Sequence, residues 1–116
     1  MLTHIQIFMR DREKEKDIAA LTSVIRSEID ILKRHVEILM LVIKHEPIGI
    51  IKLSEMTGYP QHTIRYSLHV LEQEGAIEPS PRGAVTTKKV RKVIENLKKS
   101  LSNISNEIEG IIDKLS

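Results

Sequence analysis

The stretch from residue 48 to residue 87 constrains the fold more than any other part of this 116-residue chain. Its middle carries an apolar stripe at the spacing of one helix face, at Ile64, Leu68 and Leu71. Gly58-Tyr59-Pro60 precedes this stripe and Gly75 follows it, and both are signals of turns. The order of elements is therefore a short helix, a tight turn, a second helix and a β-hairpin. This is the order of a helix-turn-helix followed by a wing.

We predict one helix on each side of the turn. The first runs from Lys52 to Thr57, with Leu53 and Met56 facing the core, and Gly58 ends it in the left-handed conformation. The second runs from Pro60, where a first helical residue tolerates a missing N–H, to about Glu74.

The hairpin is predicted from turn residues between two short runs. Residues 76–79 and 84–86 flank the turn Ser80-Pro81-Arg82-Gly83, which has a basic tip. The two prolines of the hairpin, Pro79 and Pro81, predict a short wing. Residues 48–50, which are mostly β-branched, are predicted as an edge strand that pairs with this hairpin.

A long helix is predicted before this stretch. Apolar residues recur at spacings of three and four from Ile18 to Ile43, and Asp11 is suited to begin the helix. This length suggests a break near residues 33–35. The piece from His35 to His45 is apolar nearly all round and is predicted to be the most buried helix of the domain. The first ten residues are predicted as either a short strand or a disordered arm.

The last segment predicts a second long helix with a coiled-coil seam. Its apolar residues are spaced alternately by four and three, at Val90, Ile94, Leu97, Leu101, Ile104, Ile108, Ile111 and Leu115. An antiparallel pair of such helices brings basic residues beside acidic ones, whereas a parallel pair sets the basic part against its own copy. The alternative is that the seam packs on the helix of residues 11–32, within one chain or across a dimer.

Charge is distributed unevenly, although the net charge is only +2. Between residues 82 and 99, Glu95 is the single acidic residue, and the basic residues are Arg82, Lys88, Lys89, Arg91, Lys92, Lys98 and Lys99. This block follows the predicted wing, where a phosphate backbone would lie. The alternative is a solvated helix face. Four of these cations, Lys88, Lys89, Arg91 and Lys92, are predicted in the first turns of the last helix, where a bound phosphate would offset their conflict with the helix dipole.

The outward face of helix 60–74 contains side chains suited to reading DNA. Gln61 can bond to adenine, Arg65 to guanine, and Thr63 to base edges or phosphate. The other candidates there, which can contact phosphates or sugars, are His62, Tyr66 and His69. Arg82 at the wing tip can enter a minor groove or hold a phosphate. The alternative is that these polar residues face outward as on any helix.

Catalysis finds little support in the sequence. There is no cysteine, no metal-binding spacing among the five histidines and no glycine-rich phosphate loop, so we expect no enzyme, metal or cofactor. No apolar run has the length of a membrane span or of a signal peptide's core, and we expect a cytoplasmic protein.

The segment TIRYSLHVLEQEGAIEPSPRGAVTT, which follows KLSEMTGYPQH, resembles the recognition helix and wing of winged-helix transcriptional regulators. It is similar to small archaeal regulators and, more distantly, to the multiple-antibiotic-resistance regulator family. The similarity covers roughly residues 35–95. It implies a dimer held by the terminal helices, and a short wing with one arginine departs from the family pattern.

The sequence thus predicts a mainly α fold with a small β-hairpin wing, a winged helix-turn-helix flanked by long helices that dimerise. Residues 1–34 are an N-terminal arm and dimerisation helix, 35–87 the DNA-binding domain, and 88–116 the C-terminal coiled-coil helix. The predicted dimerisation residues are Ile18, Leu21, Ile25, Ile94, Leu97, Leu101, Ile104, Ile108, Ile111 and Leu115. The predicted partners are double-stranded DNA and a second copy, and the function is sequence-specific transcriptional regulation. The alternatives are an architectural chromatin protein and a protein-assembly module.

Overall fold

The computed structural model describes residues 19–116. A 3-10 turn at Ala19–Leu21 is followed by helices α1 (Ser23–His45), α2 (Ile50–Thr57) and α3 (Gln61–Gln73), strands β1 (Ile77–Ser80) and β2 (Gly83–Thr86), and helix α4 (Val90–Lys114). The described chain is therefore mainly helical, with one two-stranded antiparallel hairpin. The whole chain divides into two units, residues 1–34 and 35–116. The predictions for residues 1–10, for a helix start at Asp11 and for Ile18 lie outside the described residues.

In the first unit, α1 begins at Ser23, after the 3-10 turn and a turn residue, so the predicted helix is not α-helical over residues 19–22. The apolar residues Leu21, Val24, Ile25 and Ile29 of this unit are exposed. The predicted break near residues 33–35 is wrong, because α1 is one helix from Ser23 to His45. It contains no glycine or proline, and the lysine and arginine at positions 33 and 34 are good helix formers.

The core of the second unit is aliphatic. Its buried hydrophobic residues are Ile38, Leu39, Val42, Ile48, Leu53, Ile64, Leu68, Leu71, Ala76, Ile77 and Ala84. They come from all elements except α4, so the core lies between α1, α2, α3 and the hairpin. The prediction that residues 35–45 form the most buried helix of the domain is wrong, because they contain three buried residues, whereas α3 contains four. Met40, in the middle of this piece, is 52% exposed.

The turn between α2 and α3 is tied by its own polar groups. Gly58 has φ 79°, as predicted, and its N–H donates to the Ser54 carbonyl at 2.8 Å. The Ser54 hydroxyl donates to the carbonyl of Tyr59 at 2.6 Å, and the Tyr59 N–H donates to Thr57 Oγ1 at 3.2 Å. The Tyr59 hydroxyl donates to Glu37 on α1 at 2.7 Å. These bonds fix the start of α3 relative to α2 and to this part of α1.

Helix α2 begins two residues earlier than predicted, at Ile50, because Gly49 is its N-cap. Only Ile48 of the predicted edge strand therefore pairs, in an isolated bridge with Ala84. Leu53 is buried as predicted, but Met56 is 41% exposed, and its predicted inward orientation is wrong. Pro60 is the N-cap of α3 rather than its first residue.

The hairpin has a two-residue turn. Ile77 pairs with Thr86 and Ser80 with Gly83, which leaves Pro81 and Arg82 as the turn residues. The Ser80 hydroxyl donates to the Gly83 carbonyl at 2.6 Å. Gly83 has φ 128° and lies against the backbone of Ile48, since a Cβ at this position would meet the Ile48 carbonyl carbon at 2.5 Å.

Two threonines connect the end of the hairpin to the rest of the unit. Both the N–H and the hydroxyl of Thr86 donate to the Glu46 carboxylate at 3.0 Å. The Thr87 hydroxyl donates to the Gly75 carbonyl at 2.5 Å. Lys88 and Lys89 then form a turn before α4, which begins at Val90, so the prediction that these lysines lie in its first turns is wrong.

Helix α4 is divided between two environments. Val90, Val93 and Ile94 pack against the core, and Leu97 is half-buried. From Ser100 onward every residue is exposed. Only the first turns of this helix therefore contribute to the hydrophobic core of the unit.

Candidate functional site

The candidate site is the outward face of α3. Four residues, Ile64, Ser67, Leu68 and Leu71, are buried, and they fix which side of the helix faces solvent. Gln61, His62, Arg65, Tyr66 and His69 are all exposed, and Thr63 is half-buried. Among the residues that the structure describes, the side chains of Gln61, His62, Arg65 and His69 have no hydrogen bond or ion pair. These four side chains are therefore available to a ligand.

Helix α3 begins without a side-chain cap, because Pro60 has no polar side chain. The Pro60 carbonyl accepts hydrogen bonds from the N–H groups of Thr63 and Ile64 at 3.0 and 3.1 Å. The first N–H groups of a helix have no intrahelical partner and carry partial positive charge. The amino end of α3, next to Gln61 and His62, thus favours contact with an anion.

Tyr66 differs from the other exposed residues of this face. Its ring lies beside His35 of α1, with 5.7 Å between the ring centroids and an interplanar angle of 49°. His35 Nδ1 is also hydrogen-bonded to the hydroxyl of the fully buried Ser67 at 2.9 Å. His35 therefore anchors α3 to α1. This contact could not be predicted from the sequence, because a serine among apolar residues is equally compatible with an exposed position.

A groove of about 800 Å³ lies between α2, α3 and the hairpin. It brings Gln61 and Arg65 together with Ser80 and Gly83 of the hairpin. It also includes Lys52 and Glu55 of α2, which sequence analysis did not select. The predicted pairing of residues 48–50 with the hairpin was a signal for them, because it places the start of α2 beside the hairpin.

The predicted phosphate-binding lysines lie elsewhere. Lys88 and Lys89 line a second groove of about 540 Å³ together with Glu72 and Glu78. Glu72 lines both grooves, so a carboxylate lies between the two predicted sets of DNA-binding residues. Arg82 is exposed at the hairpin turn, and Arg91 and Lys92 are exposed in the first turn of α4.

Charge is balanced in each groove. The first contains Lys52 and Arg65 against Glu55 and Glu72, and the second contains two lysines against two glutamates. Nearby carboxylates reduce the attraction that the cations exert on a polyanion. The chemistry that this surface offers is therefore local hydrogen bonding by Gln61, Arg65 and the histidines, with a modest long-range electrostatic attraction.

Within residues 19–116, no cluster contains three or more side chains of the types that hold a metal ion. None of the helices there combines the length and the apolar composition needed to cross a membrane.

No protein-family model matches the sequence, and no curated protein matches it significantly. Among solved structures, the activation domain of the phage T4 transcription factor MotA has a TM-score of 0.48 and 22% sequence identity. The match covers 66% of this chain and 81% of that one. At this level the similarity concerns the course of the backbone only.

Proposed function

We propose that this protein is a sequence-specific DNA-binding transcriptional regulator that acts as a homodimer. In this proposal the segment from α2 to β2 is a winged helix-turn-helix, α3 lies in the major groove of double-stranded DNA, and the hairpin is the wing. Its action is binding, without a catalytic step.

The observation that supports this proposal best is the outward face of α3. The preceding turn is fixed by four hydrogen bonds, and the buried residues set the rotation of the helix. Gln61 and Arg65, which have the bidentate geometry for adenine and guanine, are exposed one turn apart at its amino end. A rigid helix that presents such side chains is suited to direct readout of base edges.

The contribution of phosphate contacts follows from the charges around the site. Arg82 lies at the hairpin turn, within reach of a backbone or a minor groove beside α3 in the proposed orientation. Lys88 and Lys89 share their groove with Glu72 and Glu78, and we expect their phosphate contacts to be weaker than a free lysine pair would give.

A second candidate is a protein-assembly module. The first groove is lined largely by apolar residues, and among them Ile51 is 64% exposed. Exposed apolar residues around a groove favour a protein ligand. Binding of DNA distinguishes the two candidates.

The test is fluorescence anisotropy with labelled duplexes, a random sequence and one selected for binding, over a range of salt concentrations. Each Arg65 contact to guanine contributes roughly 1–3 kcal/mol of discrimination. Arg65→Ala should therefore reduce the preference for the selected duplex at least several-fold. Lys44→Ala is the matched control, because Lys44 is an exposed cation that lines neither groove.

Salt dependence tests the lysines separately. Each phosphate contact contributes about 0.9 to the slope of log K against log salt, so four contacts in a dimer contribute about 3.6. Lys88→Ala/Lys89→Ala should make the slope shallower by up to this value without changing the preference between duplexes. Equal binding to both duplexes would instead support an architectural protein. Absence of binding even at low salt would exclude both DNA functions and leave protein assembly.

A further inference from the structure

The carboxyl-terminal half of α4 exposes a continuous row of large aliphatic side chains. Its members are Leu101, Ile104, Ile108, Ile111, Ile112 and Leu115, which are between 38% and 83% exposed. Apolar residues of this size in an unbroken row are unusual on a surface that faces only water. The domain itself covers the first turns of α4, at Val90, Val93 and Ile94, and none of the rest.

We propose that this row is covered by the same row of a second copy of the chain, with the two helices antiparallel and centred on residue 106. The inference rests on the homodimer proposed above and assigns its interface and its orientation. Three observations carry it: the extent of the exposed row, the register that covers it, and the charges on either side.

The extent of the row selects one register. In an antiparallel pair, the numbers of opposing residues have a constant sum. With the centre at residue 106, Leu101 opposes the partner's Ile111 and Ile104 opposes the partner's Ile108. Leu97, which is half-buried by its own chain, then opposes the partner's Leu115. Every member of the alternating four-and-three seam beyond Ile94 has an apolar partner.

Neighbouring registers, displaced by one seven-residue repeat, fit less well. One displacement opposes Ile94 to the partner's Ile111, but Ile94 already packs against the core of its own chain. The other displacement leaves Leu97 and Leu101 without an apolar partner. Each uncovered Leu or Ile forfeits the gain from burying its side chain, so the centred register buries the most apolar surface.

Charge favours the antiparallel orientation. Residues 88–99 carry six cations against Glu95, whereas residues 105–116 carry Glu107, Glu109 and Asp113 against Lys114. Of these six cations, only Lys98 and Lys99 lie within the paired stretch. A parallel pair sets these two lysines beside their own copies and the three carboxylates beside theirs, whereas the centred antiparallel pair sets Lys99 opposite the partner's Asp113. The aliphatic stem of Lys98 then lies beside the partner's Ile112. The two copies of Glu107 approach each other near the axis, which opposes pairing, but full exposure and salt weaken that repulsion.

The register also fixes a distance. The two Ile94 residues, where α4 leaves each core, are separated by 24 residues of helix, or about 36 Å at 1.5 Å per residue. One turn of B-DNA is about 34–36 Å long. The separation of the two Ile94 positions along the helix pair is thus similar to the length of one turn of DNA.

Cysteine cross-linking tests the register, and the absence of cysteine from the chain makes every introduced thiol unique. Leu101→Cys and Ile111→Cys chains, carrying tags of different mass, are oxidised alone and after mixing and equilibration, in the absence of DNA. The proposal expects disulfide dimers in the mixture only, all of them containing one chain of each kind. Ser102→Cys, an exposed position on the side away from the seam, is the control and should form no disulfide under oxidation.

Self-linked dimers of Leu101→Cys or of Ile111→Cys would show a parallel pair and overturn the proposal. Sedimentation of the unaltered chain and of Ile108→Lys provides a second test that needs no disulfide. A dimer for the unaltered chain and a folded monomer for Ile108→Lys are expected, and a monomeric unaltered chain at tens of micromolar would overturn the proposal. Because neither experiment contains DNA, a failure of DNA binding leaves both results interpretable.

Discussion

Replacing Gly83 by alanine tests the contact that fixes the hairpin against the rest of the domain. A Cβ at this position would lie 2.5 Å from the carbonyl carbon of Ile48, 2.6 Å from its oxygen and 2.8 Å from the nitrogen of Gly49. All three neighbours are backbone atoms, so a side-chain rotation cannot relieve the contact. The residue also has φ 128°, a conformation that is strained for alanine.

The size of the effect follows from two contributions. Strain in this backbone conformation costs about 1–3 kcal/mol. Relief of the contact requires Ile48 and Ala84 to separate, and they are joined by two backbone hydrogen bonds of 3.1 and 2.8 Å. At about 1 kcal/mol each, their loss raises the total to about 3–5 kcal/mol. That is a large part of the free energy of unfolding of a domain this size.

Two other glycines separate these contributions. Gly58 has φ 79° with no atom within 4 Å of an added Cβ, so Gly58→Ala measures strain alone, about 1–2 kcal/mol. Gly49 has φ −99° and also has open space, so Gly49→Ala should cost less than about 1 kcal/mol. The free energies of unfolding are measured by urea denaturation followed by circular dichroism, at one protein concentration. If Gly83→Ala costs no more than Gly58→Ala, the close approach of the hairpin to Ile48 is refuted.

Two further changes test other parts of the structure. Ser67→Ala removes the hydroxyl that is bonded to His35 and should lower the free energy of unfolding by about 1 kcal/mol, which urea denaturation measures; an unchanged midpoint would contradict this bond. Gly110→Ala should stabilise α4 by up to about 1 kcal/mol, because an added Cβ meets no atom there and alanine is the better helix former. The helical circular-dichroism signal of this variant, followed during heating, reports the gain in stability. An unchanged thermal transition would contradict a helical backbone at that position.

The helix between the turns at Gly58 and Gly75 and the hairpin after it were predicted well, because local signals determine them. Gly58 and Gly75 adopt the positive φ that glycine favours, and the apolar stripe Ile64, Leu68 and Leu71 is buried. The hairpin formed around its turn residues. In each case the relevant information lies within a few residues along the chain.

The errors concern where helices begin or break and which side chains face the core. Length alone suggested a break in α1, but the helix continues because nothing in its sequence interrupts it. Met56 occupies a helical spacing from Leu53, yet α2 has only eight residues and buries a single one of them. Ile50 is β-branched, as is typical of a strand, yet it begins a helix because Gly49 is the N-cap of α2.

The candidate site shows the same division. Exposure of Gln61, His62, Arg65 and His69 follows from the helical period and was predicted. The positions of Lys88 and Lys89 beside Glu72 and Glu78 depend on how the hairpin packs on α3, which no local pattern encodes. Which residues read DNA stays a prediction.

The division of α4 at Leu97 separates the folding of the domain from its assembly. Only the first turns of this helix pack against the core, and the rest of the core comes from the same chain. A single chain therefore keeps a complete core when it is diluted. If the free half pairs as proposed, the dimer dissociates without unfolding, and the concentration of dimer rises as the square of the monomer concentration. Occupancy of a DNA site with two half-sites would then respond to the cellular level of the protein more steeply than occupancy of a single half-site.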